Sequence, residues 1–91
     1  MQELNKKNIT KLAKTLGQII SSHRKAQGKT MYNISAESCM RKSTWRNVEL
    51  GVDIRISTLW KIAEGLDIDV VELVKELKEK LGKDFSLIDY E

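Results

Sequence analysis

Apolar residues in this 91-residue chain recur at intervals of three and four along almost its whole length, and no proline interrupts them. That spacing is the period of a helix face, whereas alternation at period two, the mark of a half-buried strand, is nearly absent. The chain is therefore expected to be helical throughout, an all-α fold. At this length it makes one domain with a modest core, so close helix packing or a partner subunit must supplement the burial.

Five helices follow from the spacing and its punctuation. The first is expected from about Asn8 to Gln27, with Ile9, Leu12, Ala13, Leu16, Ile19, Ile20 and His23 on one broad face and Gly28 as its stop. Gly17 inside it costs about 1 kcal/mol relative to alanine, which allows a break or bend there. Thr30 caps a short second helix from Met31 to about Ser38, with Ile34 and Ser35 facing inward, and Cys39-Met40 turns a tight corner. The third helix is expected over Lys42–Leu50, with Trp45, Val48 and Glu49 on its inner side and Gly51 closing it. An extended link, Val52–Ile56, leads to Ser57 as cap of a fourth helix, Thr58–Leu66, whose core face is Leu59, Ile62, Ala63 and Leu66. Asp69 and Glu72 have the outline of a capping box for a fifth helix ending at Leu81, with Val70, Leu73, Val74, Leu77 and Leu81 as its stripe. The tail, Lys83–Glu91, holds Phe85, Leu87, Ile88 and Tyr90 and is too apolar for a free end.

Composition narrows the function. Hydrophobic residues at 41% and charged residues at 32% fit a soluble globular protein. No apolar run approaches the roughly 18–20 residues that cross a bilayer, and no apolar segment follows the basic start, so neither a membrane nor a secretory role is expected. A single cysteine, Cys39, supports neither an internal disulfide nor a structural zinc site, and the expected compartment is the cytoplasm. The net charge of +3 is unevenly spread: residues 1–50 carry ten basic side chains against three acidic ones, residues 51–91 six against ten. A basic half joined to an acidic half suggests one side turned to a polyanion and another turned elsewhere.

Two short helices joined by a corner of three or four residues describe a helix-turn-helix unit. Positions 45, 48 and 49 form the buried face of the third helix, so Lys42, Ser43, Arg46 and Asn47 point outward. All four donate hydrogen bonds and none is acidic. Arginine and lysine suit guanine O6 and N7, and asparagine suits adenine N6 and N7. Phosphate contacts are expected from Lys29, Thr30, Met31, Arg41, Thr44 and Arg55, the second helix offering its first amides and positive dipole end. Lys6, Lys7, Lys11 and Lys14 either extend that footprint or are simply solvated.

The unbroken spacing of Ile20, Arg24, Gly28, Thr30, Ile34, Trp45, Val48, Glu49, Gly51, Leu59, Ile62, Ala63, Leu66 and Ile68 resembles the lambda-repressor-like, or Cro-type, DNA-binding domains of the xenobiotic-response-element family. The resemblance implies a compact five-helix helix-turn-helix domain over residues 16–81, with 1–15 as an N-terminal extension of the first helix and 82–91 as a C-terminal tail. It also implies that Arg24 and Glu49 form a structural salt bridge joining the first and third helices, and that Arg55 touches the DNA backbone. The chain departs from the family pattern in four places. Ser35 stands where a small apolar residue is usual, Cys39 where glycine is common, and Met31 for a phosphate-reaching glutamine. Arg41 replaces the serine or threonine cap of the third helix, leaving open a start one residue later with Ser43 as the cap, which would withdraw Ser43 from base contact.

Catalysis is not expected. The only histidine, His23, lies along the first helix, packed or half-exposed there and not poised beside Cys39, and no phosphate loop, paired-carboxylate site or metal cluster is visible, so no cofactor is expected. The expected function is sequence-specific double-stranded DNA binding by a transcriptional regulator of the repressor kind, acting as a homodimer on a near-palindromic operator. The resemblance places such proteins in bacteria and phages, at the nucleoid. A dimer interface is expected at Trp60, Leu77, Leu81 and the tail residues Phe85 and Tyr90; alternatively the tail folds back over Trp60 within one chain. The other functional class is an antitoxin or adaptor that binds a partner protein through the acidic C-terminal half.

Overall fold

A computed structural model describes residues 2–89. Its elements are β1 (Glu3–Leu4), α1 (Lys6–Ala26), α2 (Met31–Glu37), α3 (Lys42–Glu49), α4 (Ile56–Gly65), α5 (Val70–Leu81) and β2 (Ile88–Asp89). Eleven of the side chains placed inward by spacing build one core: Leu16, Ile19, Ile20, Ile34, Trp45, Val48, Leu59, Ile62, Ala63, Leu66 and Leu73. Seven of the largest side chains, Trp45 among them, are fully buried. Burying residues of this size contributes about 1.5–3 kcal/mol each, which holds five short helices together.

Several ends differ from expectation. α1 begins at Lys6 because Asn5 caps it, accepting from the Asn8 amide at 3.0 Å. α1 runs unbroken through Gly17, whose lack of a side chain serves packing: a Cβ there would lie 2.5 Å from the Val48 carbonyl oxygen. α3 starts at Lys42 after an extended Arg41 that makes no side-chain cap, so Ser43 is a helical residue and not the cap. α4 starts at Ile56, two residues early, behind Arg55 in an extended conformation, and Ser57 lies inside its first turn. Ile54, packed on the core, and the Asp53 carboxylate, which takes the Ile54 amide at 3.0 Å, shape the link that sets this start. At α5, Asp69 accepts from the Val71 amide at 2.8 Å, half of the expected capping box.

The corner between α2 and α3 needs a left-handed residue, and Cys39 supplies it with φ +54°. That conformation is the reason glycine is favoured at such corners. Gly51, with φ +97°, ends α3 in the same way. Ser35 at the close approach of the two helices is buried, and its hydroxyl donates to the Tyr32 carbonyl at 3.0 Å.

The tail does fold back, though not over Trp60. β2 pairs antiparallel with β1, Glu3 opposite Asp89 and Leu4 opposite Ile88. The Asn5 amide donates to the Leu87 carbonyl at 2.8 Å, and Asn8 Nδ2 to the Ser86 carbonyl at 2.7 Å. Two-residue strands carry no alternation to read, so this ribbon left no trace in the pattern. Tyr90 lies outside the described residues.

Candidate nucleic-acid interface

α3 is mounted from behind. Trp45 and Val48 are buried beneath it, and its last turn is locked to α1 by a buried ion pair. Arg24 Nε donates to Glu49 Oε2 at 2.6 Å and Nη2 to Oε1 at 3.0 Å, a bidentate fork, while Nη1 donates to the Lys29 carbonyl at 2.9 Å. Trp45 Nε1 donates to the same carboxylate. Burial by itself pushes the Glu49 carboxyl up; hydrogen bonds from Arg24, Trp45 and Ser21, with the Arg24 charge, outweigh it and hold Glu49 below the usual carboxylate range. The hydrogen bond to Glu49 raises the Arg24 guanidinium above its already high ordinary value, against an opposing effect of burial. Arg24 is committed to the interior and is not a free cation of the surface.

The outer side of α3 then has one composition. Lys42, Ser43, Thr44, Arg46 and Asn47 are all exposed, and the ion pairs among the described residues involve none of them. Their donors are free to meet a ligand. Arg41 precedes them and Arg55 stands immediately before α4; both are exposed and neither caps its helix with its side chain. The expected flank at α2 is less available. Lys29 Nζ pairs with Glu37 Oε2 at 2.6 Å, the Thr30 hydroxyl accepts from the Asn33 amide at 3.1 Å, and Met31 packs against the core. The Lys29–Glu37 pair escaped sequence reading because Lys29 precedes the α2 cap and Glu37 ends the helix, eight residues on, outside the i,i+3 and i,i+4 spacings that pair side chains along a helix. The Trp45–Glu49 bond had a signal, an i,i+4 pair on the inner face of one helix.

The proposed interface residues separate. Leu77, Leu81 and Phe85 line one apolar cleft with Leu12, Val74 and Leu87 of the same chain. Trp60, 54% exposed, stands apart on α4, with Ile56 one turn before it 75% exposed. His23 Nε2 meets Glu76 Oε2 at 2.7 Å, tying α1 to α5. Among the described residues, no cluster of metal-ligating side chains occurs and no helix is long and apolar enough to cross a membrane.

No protein-family model and no curated protein matches the chain. Solved structures do match. The wild-type restriction-modification controller protein C.Esp1396I superposes with a TM-score of 0.71 at 20% identity, covering 77% of this chain and 92% of that one. A point mutant of the same protein reaches 0.73 at the same identity and coverage. The clp gene regulator ClgR from C. glutamicum gives 0.71 at 19% identity, covering 80% of this chain and 96% of that one. At such identities the likeness is one of architecture: this chain shares the helical fold of those proteins, with α2, the corner at Cys39 and α3 as its helix-turn-helix unit.

Proposed function

We propose that the protein is a sequence-specific, double-stranded DNA-binding regulator of transcription, with α3 as the element that enters the major groove. The observation that carries this reading is the outer face of α3: Lys42, Ser43, Arg46 and Asn47 are exposed and unpaired among the described residues, on a helix held rigid by Trp45, Val48 and the Arg24–Glu49 fork. In this reading those four meet base edges, while Arg41, Thr44 and Arg55 hold flanking phosphates. Lys29, Thr30 and Met31 contribute through the start of α2, with the Lys29 ammonium shared with Glu37. One neighbour is named a restriction-modification controller protein and the other a clp gene regulator, which agrees with this assignment.

The protein acts as a homodimer on a near-palindromic operator, its two copies of α3 lying about 34 Å apart in successive major grooves. Trp60 is the anchor of that dimer, joined by Ile56 one turn earlier on α4, while Leu77, Leu81 and Phe85 line a separate cleft within the chain. Repression follows where the operator overlaps a promoter, because the bound dimer excludes polymerase.

Selection of bound duplexes from a random pool tests the assignment. The full chain is expected to enrich one near-palindromic sequence, and Asn47→Ala to lose preference at one adenine of each half-site, a discrimination of about 1–3 kcal/mol. Recovery of no enriched sequence refutes the reading. Unchanged base preference in both Asn47→Ala and Arg46→Ala removes α3 from base readout.

A further inference from the structure

The first helix carries more positive charge than its own stability favours. Among the 21 residues of α1 there is no acid, and its first turn holds Lys6 and Lys7 at the positive end of the helix dipole. Lys7, Lys11 and Lys14 are spaced by four and three, so they share one face, where like charges repel. All three are exposed, and none belongs to an ion pair among the described residues. The acidic side chains of α5 lie elsewhere: Glu72, Glu76 and Glu79 gather with Lys75 around His23, near the other end of α1.

The fold brings this lysine face to the edge of the candidate interface. α1 passes so close to the end of α3 that Gly17 sits under the carbonyls of Val48 and Glu49. One turn earlier Lys14 lies against Gly51, the residue that ends α3; a Cβ on Gly51 would be 2.6 Å from Lys14 Cγ. From Lys14 the stripe runs outward through Lys11 to Lys7 along a helix about 31 Å long at 1.5 Å per residue. The molecule's longest dimension is 46 Å against 22 and 19 Å for the others.

We propose that Lys7, Lys11 and Lys14 form a second DNA-binding surface, a rail that follows the phosphates of the duplex beyond the segment read by α3. The inference rests on the DNA-binding reading above and extends the footprint without adding base readout. Lysine suits the task, since phosphate neutralisation is electrostatic and independent of sequence.

The test compares three full-length proteins on the selected duplex and on a scrambled duplex of equal length. They are the unmodified chain, the triple variant Lys7→Gln/Lys11→Gln/Lys14→Gln, and a charge-matched control, Lys75→Gln/Lys78→Gln/Lys80→Gln on α5. Each phosphate contact contributes about 0.9 to the slope of log K against log salt. The α1 variant is therefore expected to lose about 2–3 from that slope and to bind both duplexes at least tenfold more weakly at 0.1 M salt, with base preference intact. The control is expected to change neither. Helical circular dichroism confirms that the variants fold. Equal slopes for the two triple variants overturn the rail while leaving readout by α3 standing, and an unmodified chain that binds no duplex overturns both.

Discussion

Glu49 accepts from both Arg24 and Trp45, so a single carboxylate organises the contact between α1 and α3. Removing one member of a shielded pair leaves the other charge buried and unpaired, at a cost of about 3–5 kcal/mol. Arg24→Ala is therefore expected to lower the melting temperature far more than Arg46→Ala, whose exposed side chain should matter by less than about 0.5 kcal/mol to stability. Melting temperatures in the reverse order would contradict the structural role of Arg24. The pH dependence has a definite sign. Glu49 is held below its ordinary value of 4.5, so the stability it adds is complete above that value and is lost as pH falls through the lower, folded value. The gap in melting temperature between the unmodified chain and Glu49→Gln should be widest near neutral pH and close in acid. Ser38 is the opposite case: its buried hydroxyl has no partner among the described residues and presses towards Gly65, where a Cβ would lie 1.8 Å from its oxygen. Ser38→Ala is expected to stabilise the fold by about 1 kcal/mol, read by urea denaturation, because an unsatisfied buried polar group is removed.

Helices α1 and α3 meet backbone to side-chain-free backbone at Gly17, and that closeness sets the angle at which α3 is presented. Gly17→Ala places a methyl 2.5 Å from the Val48 carbonyl oxygen, which neither helix can yield without moving. Its expected cost is about 1–3 kcal/mol, with DNA affinity falling further than stability explains because the mount has shifted. Propensity alone predicts the reverse, a gain from replacing a helical glycine with alanine. The β1–β2 ribbon acts on the outer end of α1. An isolated two-stranded ribbon is marginal in water, so it depends on Asn5 and Asn8, which join the helix start to the tail. Truncation after Gly82 should speed hydrogen exchange over Lys6–Thr10 and leave α2 and α3 protected as before; unchanged exchange at the start of α1 would show that the ribbon holds nothing.

Charge is divided in the whole molecule as it is along the chain. The outer face of α3 and the lysine face of α1 carry the basic half, while Glu72, Glu76 and Glu79 of the acidic half surround the join of α5 to α1. In the proposed function this polarity would orient one side toward a polyanion and leave α4, with its exposed Ile56 and Trp60, for a second copy of the chain. Sedimentation equilibrium should find a dimer, and Trp60→Asp should shift it to monomer with little change in melting temperature. A full chain that remains monomeric at high concentration refutes the dimer.

Helix number, the core face of each helix and the outward set of α3 were legible in the sequence, because helical periodicity is local and a buried face repeats every three or four residues. Arg24 with Glu49 was reached through resemblance, since 25 residues separate them and no spacing links them. Cap choices were less legible: Asn5 and Arg55 begin helices that local propensity starts later, because the tail and the packed link determine where the backbone can turn. Only the tertiary structure decided that the tail clasps the N-terminus and not Trp60, and that Gly17 is a contact and not a weak point. Each of those depends on segments brought together by burial, and the free energy of burial does not record which distant residues will become neighbours.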